Sequence, residues 1–127
     1  MLLIDANVVL RFLLLDNAEM ANQAVKIISE HKVTLRHEVI AEVVYVLQKI
    51  YGLPREEISI ALARLISLEN IETEHSDVLS EAFSIFAQKS LDFVDCLLYA
   101  FSVMKGYNVF SFDKKLNALL CGASGIE

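Results

Sequence analysis

Short continuous apolar runs alternate along this chain with longer segments in which apolar residues recur every three or four positions. The short runs are typical of buried strands, and the longer spacing is typical of amphipathic helices. The pattern predicts strands over residues 2–5, 32–36, 70–73 and 108–112. It predicts helices over residues 6–15, 18–31, 37–51, 54–68, 76–89, 92–105 and 113–120. Gly52 and Gly106 follow two of these helices, at positions where glycine commonly ends a helix.

The alternation of strands and helices predicts an α/β fold: a three-layer α/β/α domain around a short, mainly parallel central sheet. The chain has 127 residues and no repeat, low-complexity segment or linker, so we expect a single domain over residues 1–127. Ligands of such domains bind near the carboxyl ends of the strands.

Composition excludes several classes of protein. Hydrophobic residues make up 55% of the chain and charged residues 22%, which argues against disorder. Charges interrupt every apolar run before the ~18–20 residues of a membrane span, and no basic segment precedes the first run, so we expect a cytoplasmic protein. The net charge of −6 argues against a non-specific nucleic-acid binder, but not against an enzyme whose acids hold metal ions.

Four acidic residues stand within or beside apolar sequence, whereas most of the others lie among polar residues: Asp5, Glu42, Asp95 and Asp113. Burying a lone carboxylate is costly unless it is paired, hydrogen-bonded or bound to metal. Two of the four are predicted at strand ends and two on helices, positions from which they could converge at one edge of the sheet. Convergent carboxylates favour a hard divalent cation, Mg²⁺ or Mn²⁺.

Each acid also has a purely structural alternative. Asp5 can accept hydrogen bonds from backbone N–H groups of the helix that follows, and Asp113 can cap a helix. Glu42 can form an ion pair with Arg11 or Arg36.

Asp92 is a fifth candidate. It precedes Asp95 by three residues, which is the spacing of a helix N-cap and its partner in the first turn. Both a cap and a ligand role stay open for Asp92.

The segments "LLIDANVVLRFLL", "EVIAEVVYVL", "LDFVDCLLYA" and "VFSFDKKL" together resemble a PIN-domain ribonuclease, specifically the toxin of a VapBC-type toxin–antitoxin system. The resemblance covers nearly the whole chain and includes the order and spacing of all four segments. It implies a catalytic, metal-binding site of Asp5, Glu42, Asp95 and Asp113. The chain departs from the family pattern at Ala6, where Ser or Thr frequently follows the first acid.

The resemblance also implies supporting residues. Asn7 matches the polar position after the first acid, Ser111 matches a small hydroxyl residue two before the last, and Asp92 matches a frequent but less constant acid. Four cations are available for contacts with substrate phosphates: Arg11, Arg36, Lys114 and Lys115.

The implied function is hydrolysis of RNA phosphodiester bonds with Mg²⁺ or Mn²⁺, by the toxin of a type II toxin–antitoxin pair. RNA, a cognate antitoxin protein and a second copy of the chain are the expected partners. The mean hydropathy of +0.47 is high for a small monomer and suits an apolar surface that a partner covers.

Two other readings compete with this one. A phosphotransfer receiver needs paired acids near the first strand, and an Asp-x-Asp phosphatase needs Asp where Asn7 stands, so both fit poorly. A non-catalytic PIN-fold module that binds metal or a partner is the remaining alternative.

Overall fold

The computed structural model describes residues 1–124 of the chain. The chain divides into two compact units: unit 1 covers Met1–Glu74, and unit 2 begins at His75. The single domain over residues 1–127 stays a prediction.

Unit 1 contains a three-stranded parallel sheet and four helices. The strands are β1 (Leu2–Leu3), β2 (Val33–Thr34) and β3 (Ile71–Glu72). The helices are α1 (Ala6–Leu14), α2 (Ala18–Glu30), α3 (His37–Tyr45) and α4 (Arg55–Ile66). The sheet has the order β1-β2-β3, and Val33 of the central strand pairs with Leu2 on one side and Ile71 on the other. The predicted α/β class and short parallel sheet are confirmed.

The third helix differs from its prediction at its second half. α3 continues into a π-helical turn, Val46–Ile50, before Gly52 adopts a left-handed φ of 68°. The predicted single helix over residues 37–51 is therefore two consecutive elements. The apolar face is continuous across their junction, because Ile40, Val43, Val44 and Leu47 are all buried.

Unit 2 contains three helices within the described residues: α5 (Ser76–Gln88), α6 (Phe93–Lys105) and α7 (Lys114–Ser124). α5 packs against α6 through an aromatic cluster in which Phe93 stacks on Phe83 at 5.5 Å and meets Phe86 edge-on at 6.0 Å. α6 ends at Gly106, whose φ of 71° is the left-handed conformation that glycine adopts without strain. α5 and α6 begin and end within one residue of their predicted limits, whereas α7 continues about one turn beyond its predicted end at residue 120.

The predicted strand over residues 108–112 is wrong, since no strand forms there in the structure. Phe110 and Phe112 are 84% and 91% exposed, and their rings contact each other edge-on at 5.2 Å. Between them, Ser111 accepts hydrogen bonds at its carbonyl from Asn117 Nδ2 (2.8 Å) and at its hydroxyl from the backbone N–H of Asp113 (2.9 Å). Such side-chain bonds to backbone groups compete with a strand ladder.

Within residues 1–124, the helices are too short or too polar to cross a membrane.

Candidate active site

Three of the predicted acids lie together in unit 2. They line an open cavity of about 290 Å³ at the N-terminal ends of α6 and α7. The lining side chains are Ser90, Leu91, Asp92, Asp95, Asp113, Lys114 and Lys115. The cavity thus combines oxygen donors suited to a hard cation with ammonium groups suited to phosphate.

The local sequence explains these positions. Asp92 occupies the N-cap position of α6 without a side-chain capping bond, and Asp95 lies in the first turn of that helix. Asp113 stands just before α7, and its Oδ1 accepts a hydrogen bond from Leu116 N at 2.8 Å. Helix N-termini favour negative side chains, because the peptide dipoles place partial positive charge there. The proposed capping role of Asp113 is confirmed.

The three carboxylates interact electrostatically. Partial burial raises the pKa of the Asp95 carboxyl, and the negative charges of Asp113 and Asp92 raise it further. The ionised form of Asp95 is therefore disfavoured in the folded chain, and a bound cation would offset that cost.

The donor chemistry of this cavity fits Mg²⁺ or Mn²⁺, since carboxylate oxygens are the ligands these ions prefer. Within either unit, however, no three His, Cys, Asp or Glu side chains of the described residues form a group that could already hold a metal ion. The acids of unit 2 line the cavity without meeting at ligand distances.

In unit 1, Asp5 is the N-cap of α1, and its Oδ1 accepts a hydrogen bond from Val8 N at 3.0 Å. Glu42 lies in the middle of α3, two residues from Ile40 and from Val44 and therefore on the helix face opposite to these buried side chains. Their convergence with the other acids stays a prediction.

The expected burial of the four acids is wrong. Asp5, Glu42 and Asp113 are exposed, and Asp95 is half-buried. Apolar neighbours in sequence did not imply apolar surroundings, because residues at helix ends and on outer helix faces reach solvent from within apolar sequence.

The alternative ion pairs for Glu42 are also wrong. Arg11 Nη1 pairs with Asp16 Oδ1 at 2.7 Å, and Arg36 Nε pairs with Glu38 Oε2 at 2.6 Å. Both arginines predicted to contact substrate are thus engaged with carboxylates in unit 1.

The remaining predicted residues have distinct surroundings. Asn7 is exposed in the first turn of α1, and Ser111 supports the segment before α7 through the bonds given above. Within residues 1–124, the Lys114 ammonium has no hydrogen-bond or ion-pair partner, whereas Lys115 Nζ donates to the carbonyl and hydroxyl oxygens of Ser90 at 3.1 and 3.0 Å.

Sequence reasoning missed Ser90 and Asn117. The contact between Lys115 and Ser90 joins residues 25 positions apart, so no local pattern indicates it. Asn117 lies four residues after Asp113, a spacing that places both on one side of a helix and could have indicated their association.

Searches among curated proteins and among solved structures gave no match to this chain. The profile of the PIN domain matches residues 2–119, which is nearly the whole chain, and PIN domains are generally nucleases. The short parallel sheet of unit 1 is consistent with the α/β fold of that family. Sequence match and fold agree, and the chain belongs to the PIN domain family.

Proposed function

We propose that this protein is a Mg²⁺- or Mn²⁺-dependent ribonuclease that hydrolyses phosphodiester bonds of RNA. One observation carries the proposal: Asp92, Asp95 and Asp113 line a single cavity with Lys114 and Lys115, in a chain of a family whose members are generally nucleases. Such a cavity offers ligands to a divalent cation and positive charge to a phosphate.

The cation would be held by Asp95 and Asp113, with Asp92 beside them. When bound, it supplies positive charge to the reacting phosphate and lowers the pKa of water. Asp5 and Glu42 are the further catalytic carboxylates of this proposal. Glu42 serves as the base that orients the attacking water.

Other side chains would support the reaction. Asn7 and Ser111 orient carboxylates by hydrogen bonding. Lys114 contacts an RNA phosphate, since its ammonium lines the cavity without a partner among residues 1–124. The ion pairs of Arg11 with Asp16 and of Arg36 with Glu38 compete with contacts to phosphate.

The proposed biological role is that of a VapC-type toxin in the cytoplasm, dimeric and inhibited by an antitoxin protein. Large apolar side chains are exposed in both units, among them Tyr45, Ile50, Phe110 and Phe112. Exposed apolar surface of this kind suits contacts with a second copy or with a partner protein. Light scattering during gel filtration tests the dimer, and co-purification with the product of an adjacent small gene tests the antitoxin.

The catalytic proposal is tested by incubating purified protein with a mixture of structured RNAs in Mg²⁺, Mn²⁺ or EDTA. We expect cleavage that requires metal and that Asp5→Asn and Asp95→Asn each reduce at least a hundredfold. Glu69→Gln is the matched control, because it removes one negative charge from an exposed side chain outside the cavity.

The outcomes distinguish the proposed ribonuclease from the alternative interpretations. Cleavage that persists in EDTA contradicts metal dependence. Folded wild-type protein that binds Mn²⁺ but cleaves no RNA in the mixture favours the non-catalytic PIN-fold module. Equal loss of activity in Glu69→Gln would attribute the effect to net charge rather than to the cavity.

A further inference from the structure

Lys115 connects the two segments that carry the acids of unit 2. Its Nζ donates to the carbonyl oxygen of Ser90 at 3.1 Å and to the hydroxyl oxygen of Ser90 at 3.0 Å. Ser90 lies in the segment between α5 and α6, two residues before Asp92, whereas Lys115 is in the first turn of α7, two residues after Asp113. The hydrogen bonds between Lys115 and Ser90 therefore connect the segment that carries Asp92 and Asp95 with the segment that carries Asp113.

The position of Asp113 relative to α7 is fixed by local bonds. Its Oδ1 accepts from Leu116 N at 2.8 Å, and its own N–H donates to Ser111 Oγ at 2.9 Å. Asn117 Nδ2 completes this arrangement by donating to the carbonyl oxygen of Ser111 at 2.8 Å. These bonds fix the position of Asp113 relative to the start of α7.

Asp92 and Asp95 belong to the start of α6, as its N-cap residue and as a residue of its first turn. The separation between the two groups of carboxylates then depends on contacts between the segments. Three like charges around one cavity repel one another, so a contact is needed that resists their separation.

We propose that Lys115 is a positioning residue, which holds the Asp92–Asp95 side of the cavity and the Asp113 side at the separation that a divalent cation requires. Two of the three ammonium hydrogens are already used by Ser90. Lys115 therefore differs from Lys114, its neighbour on the same cavity wall, whose ammonium remains available to a phosphate.

This inference rests on the proposed function, because it assumes that a cation binds in the cavity. The test is the dissociation constant of Mn²⁺, measured by electron paramagnetic resonance on wild type, Lys115→Met and Lys114→Met. Both substitutions remove one positive charge from the same cavity wall. Electrostatics alone predicts tighter Mn²⁺ binding in both variants.

The positioning role instead predicts weaker Mn²⁺ binding in Lys115→Met but not in Lys114→Met. In Lys115→Met we expect Mn²⁺ to bind roughly tenfold more weakly, the size typical of losing a group that orients metal ligands. In Lys114→Met we expect affinity equal to or tighter than wild type. Lys115→Arg keeps donors for Ser90 and should recover part of the loss, and Ser90→Ala should weaken binding by about twofold to threefold, since one of two acceptors remains.

Each outcome decides one question. Failure of the wild-type protein to bind Mn²⁺ overturns the proposed function itself. Wild-type binding with equal affinities in Lys115→Met and Lys114→Met overturns the positioning role alone. Should Lys115→Met fail to fold, as judged by circular dichroism, Ser90→Ala decides instead, and unchanged affinity in that variant overturns the role.

Discussion

The negative charge of Asp95 would favour binding of a cation in the cavity, but it destabilises the native state when no cation is bound. Partial burial, then the charges of Asp113 and Asp92, raise the pKa of its carboxyl. Replacing it by asparagine removes the charge with almost no change in shape. We therefore expect Asp95→Asn to be more stable than wild type in metal-free buffer at pH 7.5, although the variant should be inactive.

The size of this gain follows from the surroundings of the side chain. Each like-charge neighbour in a solvated setting costs a few tenths of a kcal/mol, and Asp95 has two. Solvent screens these interactions because the side chain is only half-buried, and the positive end of α6 partly offsets them. We therefore expect a net gain of at most about 0.5 kcal/mol. For a domain of this size, that corresponds to a rise in Tm of at most roughly 2 °C.

The stability advantage of Asp95→Asn over wild type should increase with pH. A raised pKa in the folded chain means that ionisation destabilises the native state as pH increases through that pKa. The advantage of Asp95→Asn over wild type should be complete at neutral pH and should vanish near about pH 3, where both states of wild type carry a protonated Asp95. Thermal unfolding followed by circular dichroism in EDTA measures both Tm values across this range.

Adding Mn²⁺ should reverse the order of stability. A ligand present at a hundred times its dissociation constant stabilises the native state by about 2.7 kcal/mol, which exceeds the expected gain of Asp95→Asn. Glu69→Gln serves as the charge-matched control and should follow wild type throughout. The reasoning is refuted if Asp95→Asn is no more stable than wild type in EDTA at pH 7.5, or if its advantage persists undiminished at pH 3.

Three further predictions concern the fold that holds the site. Asp5→Ala should lose about 1 kcal/mol of stability with the N-cap of α1, whereas Asp5→Asn keeps a capping oxygen and should lose less than half of that by urea denaturation. Phe86→Ala removes a fully buried ring from the core of unit 2 and should cost about 3–5 kcal/mol in the same assay; a loss below about 1 kcal/mol would contradict that packing. The hydrogen bond from Lys105 lowers the pKa of Asp77, and NMR titration of Lys105→Met should show this pKa rising toward the ordinary value of an aspartate; an unchanged value would exclude the bond.

Helix positions were largely predictable from sequence because their signals are local. The spacing of Ile40, Val43, Val44 and Leu47 is enough to identify a buried helix face. Gly106 ends α6 because glycine readily adopts the left-handed backbone conformation of a helix end. The π-helical turn Val46–Ile50 was not predictable in the same way. An added residue rotates the side chains that follow it, but Leu47 is the last buried residue of this face. The apolar periodicity therefore ends before the rotation could be seen.

The segment over residues 108–112 shows where local signals fail. Its short apolar run, with Val109, Phe110 and Phe112, is typical of a strand. A strand, however, is completed by pairing with a distant neighbour, and no pattern within five residues specifies one. The hydrogen bonds of Ser111 go instead to Asp113 and Asn117, which support the helix that follows.

Sequence reasoning identified the three acids that line the cavity of unit 2, but it did not foresee that one carboxylate can serve two roles. Sequence reasoning treated helix capping and metal binding as alternatives for Asp5 and Asp113. Each caps a helix with Oδ1 alone, through Val8 N and Leu116 N respectively, and Oδ2 has no protein partner among the described residues. One carboxylate can therefore stabilise a helix with one oxygen while it offers the other to a cation. Under the proposed function, aspartate suits these positions better than asparagine, since asparagine would satisfy the cap but would not supply the charge.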